Sequence, residues 1–261
     1  MRGEINNIMG THVLFQVSAP IATITLNRAE RHNSLTPDFL REFMAVLGAI
    51  QGEESVRAVI LQAKGRSFST GGDLRGFYEH LDQIETYSNE VVGLLNDVIL
   101  AMRDLRDPII TAVHGLVFGG SLGFLLASDI VLVTPEVTIT PYYSVVGFSP
   151  DGGWTAILPQ IIGPKRASEI LMRNQSITAE QAVCWGIANH IVPTKDIHHL
   201  AREIAHEIAA QQTESIYQTK RLLSHFGNDL TVNLEEERKR FVEHISKLET
   251  QQSMIDFLDT M

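Results

Sequence analysis

Three glycine-rich stretches carry the residues able to do chemistry: Phe68-Ser69-Thr70-Gly71-Gly72-Asp73, Phe118-Gly119-Gly120-Ser121 and Pro150-Asp151-Gly152-Gly153. Glycine lets a backbone N–H approach a ligand closely, and the second stretch stands where a helix begins. Two such N–H groups converging on one oxygen form an oxyanion hole. They stabilise a carbonyl oxygen as it gains charge, each by on the order of 2.7–4 kcal/mol. Asp151 has two readings. Proline, aspartate and glycine in that order build a tight turn, and a lone carboxylate is also a candidate general acid or base.

A rival chemistry sits in the same residues. Gly119-Gly120-Ser121-Leu122-Gly123 matches GxSxG, the nucleophile elbow that joins a strand to a helix. Ser121 would then be the nucleophile of a serine hydrolase, with Asp196 and His198 as its later partners. Against this, Gly115 already ends the preceding strand and Leu116 to Phe118 intervene, whereas an elbow turns straight out of its strand. The competing reading is a glycine-lined helix entry in which Ser121 is a small packing residue. No GxxxxGK phosphate loop, GxGxxG turn or HExxH pair occurs, and the adjacent His198-His199 reads as solvated surface, so no metal is expected.

These stretches need elements to position them. HVLFQV and IATITLN alternate with the two-residue period of half-buried strands around Ala19-Pro20, which predicts an opening hairpin. A helix follows, with Thr36 as N-cap, Pro37 in the first turn, and Phe39, Leu40, Phe43, Val46, Leu47 and Ile50 on one face. VRAVILQ is a strand, Leu81 to Arg106 reads as helical, and Asp107-Pro108 stops it. PIITAVHG and DIVLVT are apolar runs of the kind buried on both faces, separated by the short helix GSLGFLLAS. GPKRASEILMR and TAEQAVCWG are short helices, the second capped by Thr178 and stopped by Gly186. From Ile197 onward only helices are expected, with Leu200, Ile204 and Ile208 on one stripe and Leu234, Phe241, Ile245 and Leu248 on another. The division is an α/β core over 1–195 and a helical region over 196–261. Its apolar stripes suit either a neighbouring subunit or the chain's own core.

Composition bounds the function. At 44% hydrophobic and 20% charged residues the chain is an ordinary globule long enough for an ample core. A formal charge of −10 argues against nucleic acid or an anionic membrane as main partner, because neutralising phosphates needs a basic face. A single cysteine, Cys184, excludes an intrachain disulfide and fits a reducing compartment such as the cytosol. The most apolar segment, PIITAVHGLVFGGSLGFLLASD, is broken by His114 and four glycines, so no membrane span is expected. MRGEINNIMG has no apolar signal core.

Taken in order, NRAERHNSLT, RSFSTGGDL, AVHGLVFGGSLGFLLASDIVL and ITAEQAVCWGIANHIVP resemble the crotonase (enoyl-CoA hydratase/isomerase) superfamily over about residues 13–195. The resemblance implies a spiral of repeated ββα units with a C-terminal helical trimerisation region, assembled as a homotrimer or dimer of trimers. It also implies an acyl-CoA thioester as substrate, so that CoA enters with the substrate and no separate cofactor is expected. By position the oxyanion donors carry over to the N–H groups of Gly72 and Gly120, and Arg31, Phe68, Thr70 and Leu74 fall where the family holds CoA. Arg31 is equally read as a solvated turn residue.

The departures bear on the reaction. Hydratases of the family place one glutamate three residues after the second oxyanion glycine and another after the next strand. Here those positions hold Gly123 and Tyr143. Adding water needs one group to activate it and one to handle the α-carbon proton, so efficient hydration is not expected. Several branches carry an aspartate in the Asp151 loop: isomerases of phenylacetate breakdown, an aryl-CoA dehalogenase and naphthoyl-CoA synthases. The expectation is therefore an acyl-CoA isomerase in which Asp151 is the single base, its pKa raised by burial against Trp154, Phe148 and the acyl chain. Other Asp151-dependent reactions and a non-catalytic CoA-binding scaffold remain as alternatives. The dehalogenase reading wants a histidine, and His114 is read as a hydrogen-bonded core residue. Tyr142 and Tyr143 either present a phenol to the acyl group or pack. The sequence ends at FLDTM without the basic segment that covers adenine in the family, which implies weaker CoA binding or contacts supplied elsewhere.

Overall fold

Alternation builds the first sheet strands. The computed structural model describes residues 7–224 and 230–260. Strand β1 (Asn7–Met9) pairs antiparallel with β2 (Val13–Ser18), and β2 with β3 (Ile21–Leu26). In β2 Val13, Phe15 and Val17 point into the core while Gln16 and Ser18 face out. Helix α1 (Pro37–Gln51) follows, and the Thr36 hydroxyl accepts the Phe39 N–H at 3.3 Å. All six residues of its expected apolar face are buried.

From β4 (Ala58–Ala63), parallel to β3, the chain winds through a repeated unit. Each turn gives one strand to the large sheet, a short extended segment to a second layer, and then a helix. The first turn runs from β4 through Ser69, which bridges Val117 in parallel, to α2 (Leu74–Glu79) and the long α3 (Ile84–Asp104). Asp73 caps α2, so helical structure starts before Leu81. The second turn is β5 (Ile109–Val113), β6 (Leu116–Phe118) and α4 (Leu122–Leu126). The third is β7 (Ile130–Val133), β8 (Thr138–Thr140) and α5 (Tyr143–Val146). Helices α6 (Leu158–Ile162) and α7 (Pro164–Arg173), strand β9 (Ile177–Thr178), helix α8 (Ala179–Cys184) and strand β10 (His190–Ile191) complete the two layers. The large sheet has the order β1-β2-β3-β4-β5-β7-β10 and the small one β6-β8-β9. All five residues of β5 are buried, because helices cover both faces of its sheet.

Four helices follow: α9 (Ile197–Ala209), α10 (Thr213–Ser224), α11 (Leu230–Ile245) and α12 (Leu248–Asp259). Ile197, Ala201 and Ala205 of α9 close a second apolar cluster over Ile21, Ala58, Ile60, Ile110, Ala112 and Leu132. Leu200, Ile204 and Ile208 pack at its margin. In α10 the Lys220 ammonium reaches the Asp129 carboxylate at 2.8 Å and the carbonyls of Asp107 and Met102, which offsets its desolvation. The last two helices fold back on the chain's own core: Asn96 of α3 donates to the Leu234 carbonyl at 2.9 Å, and α12 lies against α5 and α2. Leu234, Phe241 and Ile245 are buried as expected. Leu248 is not. It is 82% exposed, because α11 ends at Ile245 and α12 starts in a new direction at Leu248. Among the described residues no helix is long and apolar enough to cross a membrane.

Candidate active site

The spiral brings the two glycine loops side by side. Ser69 and Val117 are parallel neighbours, and the Phe118 N–H donates to the Ser69 carbonyl at 3.0 Å, so the chain leaves adjacent segments at Gly71 and Gly119. The loops then touch. A Cβ on Gly71, whose φ is +74°, would lie 2.6 Å from the Phe118 carbonyl oxygen, so only glycine fits. Gly72 and Gly120 follow, and among the described residues neither N–H has a protein acceptor. Both residues line one cavity of about 870 Å³. Two free donors on neighbouring loops can hold one oxyanion.

Ser121 takes no part in that cavity. Its hydroxyl is fully buried and lies 2.7 Å from the Phe118 carbonyl and 3.0 Å from that of Ser69. It fastens the two loops together, which overturns the nucleophile reading: a buried hydroxyl directed at backbone carbonyls has no path to a substrate. His198, its supposed base, lines a separate groove with Thr23, Thr25 and Gln62.

Asp151 reaches the cavity because its turn is pressed onto the second glycine loop. A Cβ on Gly152, with φ +59°, would lie 2.4 Å from the Gly120 carbonyl oxygen. The indole Nε1 of Trp154 donates to the Gly119 carbonyl at 2.8 Å, and the Trp154 N–H donates to the Asp151 carbonyl at 3.3 Å. The carboxylate, on a residue 6% exposed, stands where a Cβ on Gly120 would meet Oδ1 at 3.0 Å and Oδ2 at 3.3 Å. Asp151 is thus a turn residue whose side chain faces the glycine loop. The Tyr143 phenol donates to Oδ1 at 2.5 Å. Tyr143 and Asp151 line the same cavity as Gly72 and Gly120.

Arg31, Thr70 and Leu74 line the same cavity. Phe68 does not. Its ring is fully buried in the main core, its N–H donates to the His114 carbonyl and its own carbonyl accepts Asn33, so it offers CoA no contact. Arg31 is neither a solvated turn residue nor a free cation: its guanidinium meets Asp73 at 3.1 Å, and Arg28 meets the same carboxylate at 2.9 Å. Burial opposes ionisation of Asp73, but the Arg28 hydrogen bond, the charges of both arginines and the Ser34 hydroxyl outweigh it and hold its carboxyl below the usual range. Asp73 also accepts the Arg75 N–H at the start of α2, so it anchors the residue next to Gly72 from both sides. His114 hydrogen-bonds the Gly65 carbonyl at 2.9 Å, as expected, but it does so at a partly exposed position and not in the core.

The apolar walls were less visible in the sequence. Leu95 of α3 packs at Gly120, and Phe77 of α2 at Gly72. Phe77, Phe148 and Phe241 form a triangle of rings with centroids 5.4 to 5.9 Å apart. Helical period marked Phe241 as inward-facing, but nothing local indicated which surface it would meet.

Comparison with known proteins agrees with this geometry. A sequence model of the family described as Enoyl-CoA hydratase/isomerase matches residues 16–261. A protein of Mycobacterium bovis named as a probable enoyl-CoA hydratase is 34% identical over 212 residues, 78% of this chain and 73% of its own length. A 4-chlorobenzoyl coenzyme A dehalogenase of an Arthrobacter species is 29% identical over 203 residues, 77% of this chain and 74% of its own. The crystal structure of an enoyl-CoA hydratase from Bacillus halodurans superposes with a TM-score of 0.88 at 23% identity, over 94% of this chain and 99% of that one, and shows the crotonase-like α/β fold. With nearly its whole length matched by the family model, and with paired glycine loops joined by the spiral, the chain belongs to the enoyl-CoA hydratase/isomerase family.

Proposed function

We propose that the protein is an acyl-CoA isomerase that shifts a double bond through a thioester enolate. The observation that carries this reading is the Asp151 carboxylate set against Gly120, in the cavity that Gly72 also lines. The thioester oxygen accepts the Gly72 and Gly120 N–H groups. Asp151 takes the C2 proton of a 3-enoyl thioester, and the C–H electrons form the C1–C2 double bond of the enolate while negative charge collects on the held oxygen. The same carboxyl returns the proton to C4, where the C3–C4 π electrons form the new C–H bond, the C1–C2 pair of the enolate moves to C2–C3, the oxygen's charge restores the carbonyl, and the conjugated 2-enoyl thioester results. One base suffices because the proton returns to the same molecule. No separate cofactor is needed. Arg31, Thr70 and Leu74 contact the CoA portion, and assembly as a homotrimer or dimer of trimers in the cytosol completes the reading.

The test offers 3-enoyl-CoA and 2-enoyl-CoA to the protein and to Asp151→Asn, following conjugated-thioester absorbance, free thiol and water addition. The expected result is isomerisation that Asp151→Asn abolishes. Isomerisation that survives the substitution refutes the assignment, and thiol release alone indicates a thioesterase. A second reading rests on the Arthrobacter relative, named as a 4-chlorobenzoyl coenzyme A dehalogenase. In it Asp151 attacks the ring carbon and expels chloride, and water then cleaves the aryl ester. Halide release from 4-chlorobenzoyl-CoA distinguishes it.

A further inference from the structure

We propose that Tyr143 is a positioning residue for Asp151: its phenol holds one carboxylate oxygen and thereby sets both the direction and the basicity of the group beside the oxyanion donors. The proposal rests on the reading of Asp151 as the base and assigns Tyr143 to the carboxylate rather than to the acyl chain or CoA.

The geometry begins with the backbone. Strand β8 ends at Thr140, and after Pro141 Tyr142 adopts φ +62°, a left-handed conformation held by its N–H donating to Asn174 Oδ1 at 2.8 Å. That reversal starts α5 with Tyr143 directed inward, where it is 6% exposed. Its ring stands edge-on to Trp154, with centroids 6.3 Å apart and planes at 83°. The phenol oxygen lies 2.5 Å from Asp151 Oδ1 and 3.3 Å from the Asp151 carbonyl oxygen. A Cβ on Gly119 would lie 3.8 Å from the same phenol oxygen, so the hydroxyl occupies the junction of the Asp151 turn and the second glycine loop. An aromatic side chain kept only for packing would turn its hydroxyl to solvent, whereas this one is spent on a buried carboxylate.

A hydrogen bond donated to a carboxylate favours its charged form, and a carboxylate with one oxygen tied has its plane fixed. Among the described contacts Asp151 meets Gly120 of the second loop, Trp154 of its own turn and Tyr143 of α5, and the phenol is the ionisable group of the three. Activity requires ionised Asp151, so the acidic limb of the kcat/KM profile reports the carboxyl. Losing one hydrogen bond to a charged group moves that limb upward by about one to two pH units.

The experiment measures pH profiles of 3-enoyl-CoA isomerisation for the protein, Tyr143→Phe and Asp151→Asn, with thermal melts as a control on folding. Tyr143→Phe is expected to lower kcat with KM little changed and to raise the acidic limb. If the limb stays in place while Asp151→Asn is inactive, Tyr143 only packs and the proposal falls. If Asp151→Asn is fully active, the base assignment itself fails, whatever Tyr143 does. Where Tyr143→Phe does not fold, 3-fluorotyrosine at position 143 keeps the shape and makes a stronger donor. The limb must then move down, and an unmoved limb overturns the proposal.

Discussion

The Trp154 indole and the Gly119 carbonyl, 2.8 Å apart, join the turn that carries Asp151 to the loop that carries Gly120. The bond links two segments thirty-five residues apart in the chain, and the indole that makes it is fully buried. Trp154→Phe keeps most of the ring volume and leaves the Gly119 carbonyl without that donor. The half-buried carbonyl keeps the Leu122 N–H, so the loss is that of one net hydrogen bond, roughly 0.5–1.5 kcal/mol. Urea unfolding should show a loss of that size, and, on the proposed mechanism, kcat should fall more than KM rises, because the Asp151 carboxylate and the Gly72 and Gly120 N–H groups no longer share one frame. Unchanged stability and unchanged kcat would show that shape alone aligns the two segments.

At Gly120 substitution is expected to damage chemistry before stability. An added Cβ would meet Leu95 Cδ2 at 2.7 Å and Asp151 Oδ1 at 3.0 Å. Leu95 has a flexible end that yields, so Gly120→Ala should fold. The carboxylate must retreat and the Gly120 N–H must tilt, and loss of one oxyanion donor lowers kcat by about 10²–10³. Steady-state kinetics with a thermal melt on the same sample checks this. An alanine variant with near-native kcat would remove Gly120 from the donor pair.

A pH-dependent stability is predicted at Asp73. Although its burial pulls the other way, Arg28, Arg31 and Ser34 together hold its carboxyl below the ordinary value. Stability from a carboxyl lowered on folding is present above the unfolded pKa, about 3.9, and is lost as pH falls through the folded one. The stability gap between the protein and Asp73→Asn should therefore be widest at neutral pH and narrow below about pH 4. Urea titrations from pH 7 down to pH 3 measure it. A gap independent of pH would mean that the carboxyl acts through shape and capping, not through charge.

Much of the local structure was legible in the sequence. Thr36, Pro37 and six apolar residues at helical spacing specify α1, and each did what its position required. The Thr178 cap likewise appears as a full capping box with Gln181. The apolar stripe through Leu248 crosses a break between Ile245 and Leu248 that helical spacing does not reveal. The short β6 and β8, three residues each, carry too few side chains to show a period. The family resemblance puts Phe68 at the CoA site, whereas the fold turns its ring into the core.

The sequence by itself determined the helices with their caps, the alternating strands, the order of the glycine loops and the presence of one carboxylate in the third. Those signals are local, since capping, periodicity and turn chemistry act within a few residues. Only the tertiary structure decided that Ser69 lies beside Val117, that Ser121 ties two loops instead of attacking a substrate, that Arg31 is bound to Asp73, and that Tyr143 grips Asp151. Each of these contacts except the last joins residues far apart in the chain. In Tyr143 and Asp151, eight residues apart, the bond depends on a left-handed backbone at Tyr142 that Asn174 holds from outside the segment.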